Sequence, residues 1–552
     1  MGFDLPQGEF VIPSGVVAST PDIIQKIAAA SDQIGVITTK SVGLVERDGY
    51  GEPIVAAVGG SLVNSVGLSN PGADEFVRES QGIKGSINKR GKVLMVSIFG
   101  GTPSEFAIAA SKVAPCADWI ELNLSCPHAS GYGAAVGTCP KTVKEVVAAV
   151  KRAVDLPVFA KLTPSPGLVG EVARSAVQGG ADGIVAVNTL GPLAFSSVRG
   201  WPLLKNSVGG LSGPAIREIA LRCVREVRES VHVPIVGMGG ISSTKDVEEF
   251  RSAGASLFGV GTALWGVGTR SIKEFFESLR NGKEWVVRPP PMEYLSFTVE
   301  EAWGRGMRVL RLGGSIDAKP GQFVQVMVPG VGEKPFSLAG ASPILLLVRP
   351  VGPVSTAIAS MREGDELFIR GPYGNGWEPR SVSCVVGGGS GVAPVHFASR
   401  MYGSRIRMAF IGGRTASDLP LYDEISSSVE TCASTEDGSL GVGGLVTDAM
   451  RSRLTGLVGF EFMNCGPEMM MVNAAALESS VSPPEKIFCV LERYTKCGIG
   501  LCGSCAIDGY RLCVDGPVFP YSMLKEGRDF GRFKRRASGR LVDINSDVPN
   551  RP

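Results

Sequence analysis

Trp119-Ile120-Glu121-Leu122-Asn123-Leu124-Ser125 is an apolar run that stops on Asn and Ser, and seven runs like it fall between residues 10 and 280. They are VIPSG (11–15), IGVITTK (34–40), VLMVSIFG (93–100), VFAKLTP (158–164), GIVAVNT (183–189), PIVGMGG (234–240) and LFGVGTA (257–263), with helical stretches between them. Strands that are apolar throughout, rather than at alternate positions, are buried on both faces, as in parallel sheets built from βα units. Eight such units in about 270 residues predict a (β/α)8 TIM barrel. A doubly wound open sheet is the alternative.

The 552-residue chain is too long for that barrel alone, since domains commonly take about 100 to 200 residues. Arg288-Pro289-Pro290-Pro291 can propagate neither helix nor central strand and reads as a stiff linker. The expected division is a barrel over 1–285, a linker at 286–292, a small antiparallel β-barrel over 293–378, an α/β nucleotide-binding domain over 379–486, and a cysteine segment with a basic tail over 487–552. The basic tail reads as a solvated surface. At 44% hydrophobic and 20% charged residues, the chain has material for packed cores and too little charge for a disordered one. A net charge of +2 offers no footprint for nucleic acid. No run of 18 apolar residues occurs, and MGFDLPQGEF is acidic where a signal peptide would be basic, so no membrane span and a cytoplasmic location are expected.

Twelve cysteines in such a chain read as thiols or metal ligands rather than disulfides. Cys497, Cys502, Cys505 and Cys513 stand in a C-x4-C-x2-C-x7-C pattern, with Gly498, Gly500 and Gly503 letting the backbone wrap tightly. That spacing matches plant-type [2Fe-2S] ligation, whereas a four-cysteine zinc site would want two separated C-x2-C knuckles. A centre that moves single electrons calls for a partner that also handles pairs, and flavins do this.

Lys334-Pro335-Phe336-Ser337-Leu338, Gly352-Pro353-Val354-Ser355-Thr356 and Gly371-Pro372-Tyr373-Gly374 precede a Gly387-to-Pro394 turn between strand and helix. Together these resemble the ferredoxin-reductase family. The resemblance implies FAD bound by Lys334, Phe336, Ser337, Leu338, Gly352, Ser355 and Thr356, with the pyrophosphate at a helix start. It also implies NAD bound by Gly388, Gly389, Gly391, Cys465 and Gly466. One departure is Lys334, where the family usually has Arg, which alone makes a bidentate phosphate fork.

In the first 280 residues, Lys40 in ITTKS, Asn64-Ser65-Val66-Gly67-Leu68-Ser69-Asn70-Pro71-Gly72, Glu121 to His128, Lys161, Asn188-Thr189 and Gly209 to Gly213 resemble class 1 dihydroorotate dehydrogenase. The resemblance implies FMN held by Ser14, Gly15, Lys40, Asn123, Lys161, Gly213, Gly239, Gly240, Gly261 and Thr262, with its phosphate at the loops after strands seven and eight. It implies substrate bound by Lys40, Asn64, Val66, Gly67, Leu68, Asn123, Asn188 and Thr189. Oxidising a saturated pyrimidine removes a carbon-bound proton while hydride leaves the adjacent carbon, so a base must face the flavin across the substrate. The chain has three His, two of them outside any motif, and Cys126 in its Asn-x-Ser-Cys-Pro turn is the candidate base. The Gly-rich stretch ASGYGAAVGT after it reads as a lid.

The whole chain thus resembles NAD-dependent dihydroorotate dehydrogenase, with a catalytic subunit fused to its electron-transfer subunit. The implied route is dihydroorotate to FMN, [2Fe-2S], FAD and NAD+, within pyrimidine synthesis, and barrels of this size commonly pair as homodimers. His128 stands where bacterial two-subunit enzymes usually have Asn, and the related dihydropyrimidine dehydrogenase also has Cys-Pro-His, so dihydrouracil stays open as substrate. A barrel that only docks a partner of an electron-transfer flavoprotein is the remaining alternative.

Overall fold

Eight parallel strands close on themselves in chain order: Phe10–Ile12, Ile34–Thr38, Val93–Ile98, Trp119–Asn123, Val158–Leu162, Gly183–Ala186, Ile235–Met238 and Leu257–Gly259, the last pairing with the first. Each of the eight predicted runs supplies one strand, and closure rules out the open sheet. The computed structural model describes residues 3–124, 137–194, 197–198, 200–283, 285 and 289–546. Val11, Val36, Met95, Trp119, Phe159 and Val185 fill part of the barrel. Helices on the outside start where local chemistry asks for it. Thr20 and Thr102 cap helices that open on Pro21 and Pro103, and Ser243 with Asp246 forms a reciprocal capping box.

An unpredicted four-stranded antiparallel sheet is built from the loops after barrel strands two and six. Its order is Val55–Val58, Ser61–Asn64, Val208–Ser212, Leu190–Ala194. The hairpin between the first two turns on Gly59 and Gly60, both at positive φ, the pairing that a tight two-residue turn demands.

The chain forms two units. The first runs to Pro289 and includes Ile499–Gly509 and Arg535–Leu541; the second holds Pro290–Gly498, Tyr510–Lys534 and the chain from Val542 onward. In the second, the expected small antiparallel barrel is present, its six strands closing in the order Leu295–Trp303, Arg308–Leu312, Ile344–Val348, Gly332–Ala341, Phe323–Val328, Glu366–Tyr373. A seven-stranded sheet follows, ordered Val442–Gly443, Thr431–Thr435, Ile406–Gly413, Ser383–Gly388, Glu461–Cys465, Ile487–Val490, Val518–Pro520, with only the last strand antiparallel. The chain works outward from Ser383–Gly388 on one side, then returns to Glu461–Cys465 on the other.

Arg370 and Glu333 form an ion pair with both side chains fully buried in this unit. Arg370 donates to Glu333 at 2.5 and 2.8 Å, to the Tyr373 hydroxyl at 2.9 Å and to the Cys497 carbonyl at 2.9 Å. Tyr294 donates to Glu333 at 2.6 Å, and Tyr373 donates to the Pro291 carbonyl at 2.6 Å. Burial pushes the Tyr373 phenol up to about 12, which keeps it a donor. The network ties the chain leaving the proline stretch to the small barrel and to the first cysteine of the cluster motif. Arg370→Met strands Glu333 as an unpaired buried charge and is expected to cost about 3 to 5 kcal/mol; an unchanged urea midpoint would refute the network's role.

Candidate active site

Polar side chains at the carboxyl ends of successive barrel strands, two to six, are linked to one another. Ser41 Oγ lies 3.0 Å from Ser14 Oγ and 2.9 Å from Ser97 Oγ. Ser97 donates to Glu121 at 2.8 Å, Asn123 donates to Ser41 at 3.0 Å, and Asn188 donates to the Asn123 carbonyl at 3.0 Å. The Thr189 amide in turn donates to the Asn188 carbonyl at 2.8 Å. Glu121 and Asn123 share a face because they are two apart on one strand, and Lys161 pairs in register with Asn123. The Lys161 ammonium lies 3.7 Å from the fully buried Glu121 carboxylate. This brings together the expected Ser14, Asn123, Lys161, Asn188 and Thr189. Ser41, Ser97 and Glu121 complete the chain and were not among the expected site residues, although Ser97 and Glu121 each interrupt an otherwise apolar run.

The antiparallel sheet contributes Asn64, whose amide donates to the Gly210 carbonyl at 3.3 Å. A side chain at Gly210 would strike Thr189 Oγ1 at 2.2 Å, so only glycine lets Thr189 approach this strand. Lys40 donates to Ser69 at 2.6 Å. The intervening Val66-Gly67-Leu68 turns through positive φ at Gly67 (76°) and Leu68 (55°), and a Cβ at Gly67 would meet the Tyr50 amide at 2.6 Å. Asn70, also unforeseen, pins this loop: its carbonyl accepts from Gly43 and Gly72 amides, and its NH2 donates to the Leu68 carbonyl at 2.9 Å.

Loops after strands six, seven and eight meet one another through glycines. A Cβ at Gly240 would lie 2.9 Å from the Gly213 carbonyl, and one at Gly213 would lie 3.0 Å from Thr262. Gly213, Gly239 and Gly240 all have positive φ, and Thr262 donates to Ser212 at 2.9 Å. Gly261 precedes Thr262, and Gly15, at φ 78°, has open space where a Cβ would stand. Bare backbone at this end of a barrel suits a phosphate, so the residues fit FMN. Residues 125–136, with Cys126, His128 and most of the Gly-rich stretch, lie outside the described residues.

In the second unit, the turns after Ser383–Gly388 and Glu461–Cys465 touch. A Cβ at Gly391 would strike the Cys465 carbonyl at 2.1 Å, and one at Gly466 would lie 2.8 Å from the Gly388 carbonyl. These turns, with Gly389 at positive φ, sit where the strand order reverses, the place where open α/β sheets bind ligands. Burial pushes the Cys465 thiol up, so it stays protonated. Lys334 stacks its ammonium 4.9 Å over the Tyr494 ring. Phe336 is partly buried against the small barrel's core, Ser337 pairs across to Phe323, and Leu338 lies wholly inside, leaving its backbone alone to face a ligand. Ser355 accepts from the Val351 and Gly352 amides at 3.0 Å, so its hydroxyl caps its own helix, and Thr356 is exposed.

Cys497, Cys502, Cys505 and Cys513 are all buried and unbridged, and Gly498, Gly500 and Gly503 take the positive φ that the tight winding requires. Among the described residues no three His, Cys, Asp or Glu side chains are grouped as ligands of a single metal ion. Four thiols at this spacing fit the donor set of an iron–sulfur centre. Among the described residues no helix is long and apolar enough to cross a membrane.

The chain matches two family models, dihydroorotate dehydrogenase over residues 4–281 and the iron-sulfur cluster binding domain of dihydroorotate dehydrogenase B over residues 492–525. It is similar to the catalytic subunit of dihydroorotate dehydrogenase B (NAD(+)) from Pyrococcus horikoshii, 44% identical over 269 residues, which is 49% of this chain and 86% of the relative. The Methanocaldococcus jannaschii protein of the same name is 41% identical over 254 residues, 46% of this chain and 82% of that one. The corresponding Thermococcus kodakarensis subunit is 40% identical over 273 residues, 50% and 88% of the two chains. With its closed eight-stranded barrel and a family match over half its length, this chain belongs to the dihydroorotate dehydrogenase family.

Proposed function

We propose that this chain oxidises dihydroorotate to orotate with NAD+ as acceptor, and that one polypeptide joins the catalytic barrel to a ferredoxin-reductase-like module. The observation that carries the reading is the row of oriented amides and cations at the barrel mouth. A dihydropyrimidine ring alternates N–H and C=O groups, and asparagine offers both a donor and an acceptor. Asn123 spends one N–H on Ser41 and takes one bond at its carbonyl from Asn188, so its amide is held in one orientation. Asn64, Asn188 and Thr189 would complete the ring's contacts. Lys40, with backbone of Val66, Gly67 and Leu68, would meet the carboxylate that distinguishes dihydroorotate from dihydrouracil.

Cys126 would take the carbon-bound proton from a ring that the amides would orient. Bound FMN would accept the hydride at the barrel, and the [2Fe-2S] centre and FAD would pass electrons onward to NAD+. In the second unit, Lys334, Phe336, Ser337, Gly352 and Thr356 would hold FAD, and Gly388, Gly389, Gly391 and Gly466 would line the dinucleotide crevice. The barrel mouth, the cluster cysteines, the small barrel and the switch-point crevice are the four stations this route needs.

Cys126→Ser is expected to slow dihydroorotate-dependent flavin reduction by about a hundredfold or more while NADH-driven dye reduction stays at the wild-type rate. Equal loss of both would mean a folding defect and would remove support for the base assignment. Asn123→Ala also removes one hydrogen bond from each of Ser41 and Asn188, and should weaken orotate binding by about tenfold or more, seen as perturbation of the flavin absorbance. Unaltered orotate affinity would take Asn123 out of the substrate site.

A further inference from the structure

The basic C-terminal segment is not a solvated surface. Arg535–Leu541 packs with the first unit, although it follows the second in sequence. Arg535 donates to Glu79 at 2.9 Å with 4% of its side chain exposed, and the Leu541 amide donates to the other Glu79 oxygen at 3.1 Å. Ser538 and Arg540 donate to the two oxygens of Glu46 at 2.7 and 3.0 Å, and Arg540 Nε also lies 3.7 Å from Glu75. Burial would raise the Glu46 carboxyl, but the bonds from Ser538 and Arg540 outweigh it and hold the group below its usual value. The turn itself is closed by Arg536 and Arg540 main-chain atoms and by the Gly539 carbonyl accepting from Arg535 at 2.7 Å.

The residues gripped bracket one loop. Glu46 precedes Asn64–Asn70, and Glu75 and Glu79 lie on the helix Ala73–Glu79 directly after it. Arg47, next to Glu46, exchanges both main-chain hydrogen bonds with Asn70 at 2.9 Å and donates from Nε to the Gly67 carbonyl at 3.1 Å. Ser69 in turn accepts from Lys40. A path therefore runs from Ser538 and Arg540 through Glu46 and its chain neighbour Arg47 to Gly67, and through Asn70 to its neighbour Ser69, which holds Lys40. Arg535, Ser538 and Gly539 also line one cavity with Lys40, Ser41 and Asn70.

We propose that Arg535–Leu541 is a clamp that fixes the 64–72 loop, and with it Lys40 and Gly67, in the substrate-binding position. The clamp lies outside residues 4–281, so the stretch matched by the dehydrogenase family model does not contain it. Without the clamp the loop would keep its bonds to Arg47, Tyr50, Ile54, Asn206 and Lys40, but with two consecutive positive-φ residues, one of them Leu68, it would sample other conformations more often before binding, and affinity falls by the fraction of time it is competent. The inference rests on the reading of this loop as part of the dihydroorotate site.

The test is orotate affinity of the holoenzyme, read from flavin absorbance, in Arg540→Glu, Glu46→Arg and the double variant. Each single reversal is expected to weaken orotate by about three- to tenfold, and the double, which restores an opposite pair, to return within about twofold of wild type. NADH-driven dye reduction should be the same in all four proteins. Singles that bind orotate like wild type, or a double no better than its worse parent, would overturn the clamp. Wild-type protein that binds no orotate at all would instead overturn the substrate reading on which the clamp depends.

Discussion

A carboxylate and an ammonium sit at the mouth of the eight-stranded barrel, nearly out of reach of water. Glu121 is fully buried and Lys161 almost so. Ions removed from water are costly unless paired and hydrogen-bonded, and here Ser97 supplies the hydrogen bond while Lys161 supplies the charge. From that buried pair the order spreads through Ser97 to Ser41 and on to Asn123 and Asn188, so each amide has its oxygen and nitrogen assigned by its neighbours. A substrate would then meet donors and acceptors already oriented, and little reorganisation would remain to be done when it binds.

Backbone approach is the second constraint, and it shapes both units in the same way. Gly210 admits Thr189, Gly240 admits the Gly213 carbonyl, and Gly391 admits the turn at Cys465. In each case a methyl group would collide with its neighbour; the second and third collisions lie at the carboxyl ends of parallel strands, and the first lies where the antiparallel sheet meets the chain just beyond strand six. Glycine there serves packing first. The same bare backbone then leaves N–H groups accessible to phosphate.

The eight barrel strands were legible because a strand buried on both faces is apolar at every position, and no other element of the chain produces that signal eight times. Asn123, Lys161, Asn188 and Thr189 were named through the resemblance to dihydroorotate dehydrogenase, and Asn123, Asn188 and Thr189 also stand at the ends of those runs. Ser97 and Glu121 were not, because a polar residue inside an apolar run says nothing about the partner that satisfies it. The antiparallel sheet was hidden for a different reason: its strands are short, hold Gly191-Pro192 and Gly209-Gly210, and lie in what reads as loop. The clamp was out of reach altogether. Ser538 and Glu46 are 492 positions apart, and a run of arginines carries no mark of the carboxylates it will meet.

In the proposed function the amide row at the barrel mouth, with Lys40, would hold dihydroorotate, and the flavins and cluster would carry its electrons to NAD+. The most direct measurement is NADH formation by purified protein holding its flavins and cluster, without oxygen, given NAD+ and either dihydroorotate or dihydrouracil. The account expects NADH from dihydroorotate and none above background from dihydrouracil. NADH from dihydrouracil, or from neither compound in protein with all its cofactors bound, would contradict it.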